Sequence, residues 1–149
     1  MTTTDASSKK VNVLYTAVAT TEGGRKGHAK SSDGNLEVHF SSPKELGGEG
    51  GTGTNPEQLF AAGYGACFQN ALMGIARREH LVADDSVVTA RVGIGQIGNG
   101  RMGLEVELII TLPSIPDRAQ AEDLVAKAHE RCPYSNAVRG NVDVTLTLL

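Results

Sequence analysis

The sequence predicts an α+β fold, from the order of its patterns along the chain. Strand-like segments fill the first third, and an apolar helical segment, two strands, a second helix and a last strand follow. Strands and helices grouped in this way favour an α+β domain over repeating βαβ units. With 149 residues, of which 40% are hydrophobic, the chain suffices for one core. We expect a disordered lead at residues 1–10 and a single domain at residues 11–149.

The first strand is predicted from the alternation of Val11, Val13 and Tyr15 with other residues. A hairpin is predicted over residues 28–42, because Asp33-Gly34 can supply the positive φ that a tight turn requires.

The central helix has a well-marked start. Asn55 can cap it and Pro56 suits its first position. Residues 59–76 are nearly all apolar or small, so we expect the helix to be buried on most sides. Gly63 and Gly65 each cost about 1 kcal/mol relative to Ala in a helix, and they permit a bend or the close approach of another backbone.

The rest of the chain predicts three strands and one helix. Two strands, 86–98 and 101–113, meet at a Gly-Asn-Gly turn, and residues 142–148 alternate as a last strand. A helix opens at Ser114 or around Pro116, runs through Ala128 and is stopped by Pro133.

Composition excludes several classes of function. Lys and Arg number 14 against 17 Asp and Glu, a net charge of −3 that provides no basic face for nucleic acid. No apolar run approaches the roughly 20 residues of a membrane span. The polar N-terminus lacks the apolar segment of a secretory signal, so we expect a cytoplasmic protein.

A glycine pattern, G-x-G-x-x-G at Gly48, Gly50 and Gly53, raises the possibility of a nucleotide-binding loop. Such a loop should leave a buried strand directly and meet an acidic residue about 20 positions later. Here residues 43–46 separate the glycines from the strand that is predicted to end near Ser42. The position at which the acidic residue is required falls inside the apolar helix. We interpret the glycines as a flexible connection.

The chain contains two cysteines, Cys67 and Cys132. In an intracellular protein they are buried bystanders, metal ligands or redox groups. His129 and Cys132 are spaced to share a metal, but a closed site usually has four ligands, so we expect no metal site. No histidine stands out as a base that would make Cys67 a hydrolase nucleophile.

Cys67 lies in the apolar helix, where a small core residue is the simplest interpretation. Burial alone would raise its pKa, so a reactive thiolate needs a cation from elsewhere in the fold. Glu57 precedes Cys67 on the same helix by about 15 Å at roughly 1.5 Å per residue, too far for contact. A long cationic side chain between them could bridge that gap, although the helix dipole alone favours a Glu near a helix start.

Three blocks of the sequence resemble the organic hydroperoxide resistance proteins of the wider OsmC superfamily. They are GGRKG at 23–27, SPKELGGEGGTGTNPEQLFAAGYGACF at 42–68 and CPYSNAVRGNVDVTLTL at 132–148. The resemblance implies an OsmC-like fold, in which antiparallel sheets pack around a long buried central helix in an intertwined homodimer.

The resemblance also implies a thiol-dependent peroxidase that reduces organic hydroperoxides and binds no cofactor. The peroxidatic cysteine falls on Cys67, the resolving cysteine on Cys132, the catalytic arginine on Arg25 and its glutamate partner on Glu57. The implied electron donor is a lipoyl dithiol, the dihydrolipoamide of a lipoylated protein. A guanidinium can hold a carboxylate on one side and stabilise a thiolate on the other, so Arg25 would be the missing cation.

The uncharged surroundings of Cys67 favour bulky apolar peroxides, and Phe60, Tyr64 and Phe68 are candidate substrate-binding residues; core packing is the alternative for each. Two departures from the family are expected to affect the pocket mouth or Cys132: the loop at 96–103, and Arg131, which either lowers the pKa of Cys132 or faces solvent. Two other functions remain open, a redox sensor whose disulfide forms once and a cysteine thioesterase.

Overall fold

A computed structural model describes residues 10–149, which form two compact units that divide between Thr54 and Asn55. Each unit contains a three-stranded sheet, and the second adds the helices. The predicted α+β class is therefore confirmed. All but the last residue of the predicted lead lies outside the described residues, and the single domain stays a prediction.

The first unit is built on a small antiparallel sheet. Its strands are β1 (Ala19–Glu22), β2 (His28–Ser31) and β3 (Glu37–His39), in the order β1-β2-β3. Two single-turn 3-10 helices, Gly24–Lys26 and Lys44–Leu46, lie between and after the strands.

The strand predicted at Val11, Val13 and Tyr15 is not formed in the single chain. The first strand begins at Ala19, and the three side chains are 74%, 68% and 78% exposed. A strand requires a neighbouring strand for its backbone hydrogen bonds, and residues 19–22 have one in β2. Alternation by itself therefore placed the strand too early.

The predicted hairpin at 28–42 is confirmed, and Asp33 organises its turn. Its carboxylate accepts hydrogen bonds from Ser31 Oγ at 2.6 Å and from the Asn35 backbone N–H at 3.0 Å. Gly34 has a φ of 76°, as the Asp-Gly pair predicted.

The G-x-G-x-x-G glycines are required for close packing rather than for flexibility. A Cβ on Gly48 would lie 2.2 Å from the carbonyl oxygen of Ser42, and one on Gly53 would lie 2.6 Å from the backbone nitrogen of Ser41. The Gly53 N–H also donates to Ser41 Oγ at 2.8 Å. The loop is thus folded against the preceding segment, which corrects the expectation of a flexible connection.

Helix α1 (Pro56–Arg78) opens the second unit as predicted, with the Asn55 side chain accepting the Gln58 N–H at 2.8 Å. One face is buried, whereas Ala62, Ala66 and Asn70 are exposed in the single chain. The helix was expected to be buried on most sides, but in the single chain only one face is buried. That face, with Phe68 and Leu72, forms the core together with residues of the second sheet and the later helices, among them Leu108, Ile110 and Leu124.

Helix α1 is also long and apolar enough, by length and composition alone, to cross a membrane. The sequence predicted no apolar run of that length, and polar residues such as Gln69 and Asn70 do interrupt the apolar residues of this helix. A core helix of a soluble protein meets the same criterion, so the observation is weak evidence for a span.

The second sheet joins β4 (Val87–Gly98), β5 (Arg101–Thr111) and β6 (Val144–Leu148) in the order β4-β5-β6. Strands β4 and β5 form the predicted hairpin, with positive φ at each residue of its Gly98-Asn99-Gly100 turn. Strand β6 pairs with β5 in parallel, which departs from the expectation of antiparallel sheets. The helical segment between β5 and β6 supplies the crossover that a parallel pair requires.

That helical segment contains two helices, where one was predicted. Helix α2 (Arg118–Arg131) is capped by Asp117, whose carboxylate accepts the Gln120 N–H at 2.9 Å. Helix α3 (Pro133–Val138) follows at once. Pro133 starts α3 rather than only ending α2, because proline suits the first position of a helix.

Candidate active site

The two cysteine side chains, 65 positions apart (132 − 67), come together in the second unit. Both are free thiols; Cys67 is half-buried on α1 and Cys132 is fully buried. Beyond the effect of burial, Cys132 raises the pKa of Cys67 through charge interaction and hydrogen bonding, so the two thiols are neighbours. Neighbouring thiols are the starting arrangement for a disulfide, whose sulfurs lie about 2 Å apart.

The break between α2 and α3 directs Cys132 into the core. Its backbone N–H ends α2 by donating to the Ala128 carbonyl at 2.8 Å, and its own carbonyl starts α3 by accepting the Asn136 N–H at 2.9 Å. The residue itself is extended, with φ −62° and ψ 124°. Cys132 is therefore held by hydrogen bonds to both helices.

The surroundings of Cys67 within its unit favour the protonated thiol. Burial is the largest influence and raises the pKa of Cys67, while the neighbouring Cys132 raises it further. The Tyr134 backbone N–H, directed at the sulfur, opposes them without reversing the direction. A thiolate at neutral pH thus requires a cation beyond these groups.

The arginine indicated by the resemblance lies in the first unit, in a turn that requires glycine at position 27. Arg25 is half-buried on the 3-10 helix between β1 and β2. Gly23 and Gly24 have φ values of 78° and 56°. A Cβ on Gly27 would lie 1.7 Å from the Glu22 carbonyl oxygen, so that position excludes every other residue. The GGRKG block is the structural requirement for presenting Arg25.

Glu57 is half-buried in the first turn of α1. A carboxylate is stabilised at this end of a helix by the free backbone N–H groups. It stays about three helical turns from Cys67 along α1. The roles of Arg25 and Glu57 stay predictions.

The three candidate substrate-binding aromatics differ in burial. Tyr64 and Phe68 have no exposed surface, which favours core packing for both, whereas Phe60 is partly buried. Tyr134, absent from the sequence-based set, packs against Phe60 and Tyr64 with ring centroids 6.0 and 5.6 Å apart, and it is 38% exposed. Among these four aromatic side chains, Phe60 and Tyr134 therefore have exposed surface.

Sequence reasoning also missed Ser135, a buried serine three residues after Cys132. Ser135 Oγ lies 2.7 Å from the Tyr64 hydroxyl and 2.8 Å from His129 Nδ1. The only signal for Ser135 and Tyr134 was their place in the CPYSN block that follows Cys132. Hydrogen bonding across α1, α2 and α3 is not visible in sequence spacing.

Three further expectations concern Arg131, the loop at residues 96–103 and a metal site. Arg131 is exposed, which matches the alternative that it faces solvent, and residues 96–103 form the tip of the β4–β5 hairpin. Among residues 10–149, no group of three or more His, Cys, Asp or Glu side chains is placed to hold a metal ion.

The chain is similar to known proteins over nearly its whole length. A family model described as OsmC-like protein matches residues 48–147. The organic hydroperoxide resistance protein of Xanthomonas axonopodis pv. citri is 57% identical over 91% of this chain and 95% of that protein.

Solved structures agree with this relationship. An organic hydroperoxide resistance protein from Legionella pneumophila is 47% identical with a TM-score of 0.87, covering 92% of this chain and 98% of that one. The organic hydroperoxide resistance protein OhrB of Bacillus subtilis is 44% identical with a TM-score of 0.83, covering 92% and 100%. The chain has the OsmC-like fold and belongs to the OsmC-like family, within its group of organic hydroperoxide resistance proteins.

Proposed function

We propose that the protein is a thiol-dependent peroxidase that reduces organic hydroperoxides to alcohols. The observation that carries this proposal is the pair of neighbouring free thiols, one half-buried and one fully buried. In this proposal the half-buried Cys67 meets the substrate, and the buried Cys132 traps the oxidised sulfur. Relatives at up to 57% identity are named for resistance to organic hydroperoxides, which supports a role in peroxide detoxification.

In the first step, the Cys67 thiolate attacks the outer oxygen of ROOH. The O–O bond breaks, Cys67 becomes a sulfenic acid, and the alkoxide takes a proton to leave as ROH. In the second step, Cys132 attacks that sulfur, the S–S bond forms and water leaves. A dithiol then reduces the disulfide by two exchanges and becomes a disulfide itself.

Arg25 is proposed to supply the cation that Cys67 lacks within its own unit. Its guanidinium would lower the pKa of Cys67 and stabilise the negative charge that develops on the departing oxygen. Glu57 would hold the guanidinium by a bidentate pair, which fixes its direction as well as its position.

The proposed substrates are hydroperoxides with an apolar alkyl or fatty-acid chain. Phe60 and Tyr134 offer partly exposed aromatic surface in the unit that carries Cys67. Burial of alkyl groups on such surface contributes about 0.8 kcal/mol per CH₂, a gain that hydrogen peroxide cannot make.

The proposed reductant is the dihydrolipoamide of a lipoylated protein, and no cofactor is held. Steady-state turnover with dihydrolipoamide and an alkyl hydroperoxide tests the proposal against a redox sensor, which would stop after one equivalent of peroxide. A Cys132→Ser variant tests it against a thioesterase. Full esterase activity in that variant without peroxide would contradict the peroxidase, whereas we expect loss of lipoyl-dependent turnover.

The protein is also proposed to act as a cytoplasmic homodimer. Apolar side chains between residues 11 and 18 are exposed in the single chain, and Leu14 is 100% exposed. Exposed alternating residues beside an antiparallel sheet are suited to strand addition by a second copy.

A further inference from the structure

A largely buried hydrogen-bond chain lies on the three helices that flank the cysteine pair, and it ends at a half-buried histidine. It consists of Tyr64 Oη, Ser135 Oγ and His129 Nδ1, with steps of 2.7 and 2.8 Å. Tyr64 and Ser135 have no exposed surface, and His129 is half-buried. The three residues come from α1, α3 and α2, so the chain crosses every helix of the second unit.

Tyr64 and Ser135, the two buried members of the hydrogen-bond chain, each lie three residues from a cysteine in the sequence. Tyr64 precedes Cys67 by three residues on α1, which places the two on neighbouring positions of one helix face. Ser135 follows Cys132 by three residues in the first turn of α3. Burial is the largest influence and raises the pKa of the Tyr64 hydroxyl, while the Ser135 hydrogen bond and the charge of Arg139 oppose it. Cys132, and more weakly Cys67, raise this pKa further by charge interaction, so the hydroxyl lies within the field of both sulfurs.

The protonation state of His129 sets the direction of the hydrogen bonds, because each hydroxyl has a single proton to donate. When His129 Nδ1 carries no proton, Ser135 donates to it and Tyr64 donates to Ser135, and every donor points towards the histidine. Burial, and then the positive charge of Arg139, lower the pKa of His129, while Glu130 acts in the opposite sense. Arg139 also donates to the His129 carbonyl at 2.7 Å, which fixes the cation at the histidine.

The second step of the proposed cycle requires an acceptor for the proton of Cys132. Cys132 is fully buried, so bulk water does not take its proton directly. The thiolate is the attacking form in disulfide chemistry, so the proton must leave Cys132 as the S–S bond forms.

We propose that Tyr64, Ser135 and His129 form a proton path that accepts the Cys132 proton during disulfide formation. This inference rests on the proposed function for its oxidant. Tyr64 receives the proton from Cys132 as it passes its own to Ser135, and Ser135 passes its proton to His129 Nδ1. The hydroxide that leaves Cys67 takes a proton from water on the exposed side, and His129 returns its proton to solvent, so the sum is one disulfide and one water.

The test separates sulfenic acid formation from disulfide formation in rapid-mixing experiments with an alkyl hydroperoxide. We expect Tyr64→Phe, Ser135→Ala and His129→Gln to slow the second step by about tenfold or more, in the range of lost acid–base catalysis. The sulfenic acid should accumulate, because the second step is slowed more than the first. His80→Asn is the matched control, since His80 is exposed with a φ of 59° that asparagine tolerates.

The pH profile distinguishes proton transfer from a structural effect. In the wild type, the second step should slow as the pH falls through the pKa of His129, because an imidazolium cannot accept a proton. His129→Gln should lose this dependence, whereas His80→Asn should keep it. A His129→Gln variant with the wild-type rate and pH profile would overturn the proton path.

A small disulfide oxidant keeps the path testable if the proposed function fails. Such an oxidant forms a mixed disulfide on Cys67, and Cys132 must again lose its proton to displace the small thiol. Absence of any reaction with organic hydroperoxide would overturn the peroxidase alone. Equal rates of closure of the mixed disulfide in the wild type and all three variants would overturn the path alone.

Discussion

The hydroxyl of Tyr134 lies close against Gly63, where an added Cβ would come within 2.7 Å of the hydroxyl oxygen and 3.2 Å of the ring carbon that bears it. The contact brings the ring of Tyr134 onto α1 one helical turn before Cys67. Gly65 differs, since a Cβ there would meet the Val88 carbonyl oxygen at 3.8 Å, an ordinary contact.

The first prediction compares alanine at these two glycines. Gly65→Ala should raise the free energy of unfolding by up to about 1 kcal/mol, the helix preference of Ala over Gly. Gly63→Ala should gain less or destabilise, because the Tyr134 ring must move away from Phe60. Urea unfolding measures both. Equal gains would contradict the close contact, and a Tyr134→Ala background should restore the gain at position 63.

The second prediction concerns the pKa of Cys67, followed by the ultraviolet absorbance of its thiolate. Cys132→Ala should lower this pKa, because the neighbouring thiol raises it by charge interaction and hydrogen bonding. Arg25→Ala should raise it, if the proposed cation acts on the thiolate. An unchanged pKa in Arg25→Ala would sink the proposed activation without affecting the first half of the prediction.

The third prediction addresses the turn that carries Arg25. Gly27→Ala should cut peroxide turnover by on the order of tenfold to hundredfold, because the added Cβ collides with the Glu22 carbonyl and displaces the turn. Gly24→Asn is the control, since position 24 has a φ of 56° with open space around it, which asparagine tolerates. Similar losses in the two variants would show that the collision is not the cause.

The fourth prediction is a loss of stability in acid that depends on His129. Because its folded pKa is lowered from 6.5, the unfolded chain binds the proton more readily. The stabilising contribution is thus complete above about pH 6.5 and is lost as the pH falls through the folded pKa. His129→Gln should show a smaller fall in Tm between about pH 7 and pH 5 than the wild type. An unchanged pH dependence in His129→Gln, equal to that of His80→Asn, would contradict it.

The fifth prediction tests the role of the exposed N-terminal segment in the proposed homodimer. Val13→Asp and Tyr15→Asp together should shift the protein to the monomer in light scattering, because charges would replace apolar side chains on one side of the added strand. Thr16→Asp lies on the opposite side and should leave the dimer intact. A double variant that stays dimeric would remove this segment from the interface.

The sequence by itself determined the elements whose signals are local. Asn55 and Pro56 marked the start of α1, Asp33-Gly34 marked a turn, and the Gly-Asn-Gly run marked the β4–β5 hairpin, because capping and positive φ depend on a few adjacent residues. The blocks at residues 23–27, 42–68 and 132–148 indicated, by resemblance, the family and the four candidate catalytic residues.

Only the tertiary structure decided what depends on partners distant in the chain. Residues 11–17 carry a strand pattern yet form no strand in the single chain, since no neighbouring strand is available to them. Pro133 began a helix where the sequence indicated only an end, and that helix turned Ser135 towards Tyr64 and His129. The meeting of Cys67 with Cys132 likewise required the packing of α1 against α2 and α3, because sequence spacing does not specify which helix faces meet.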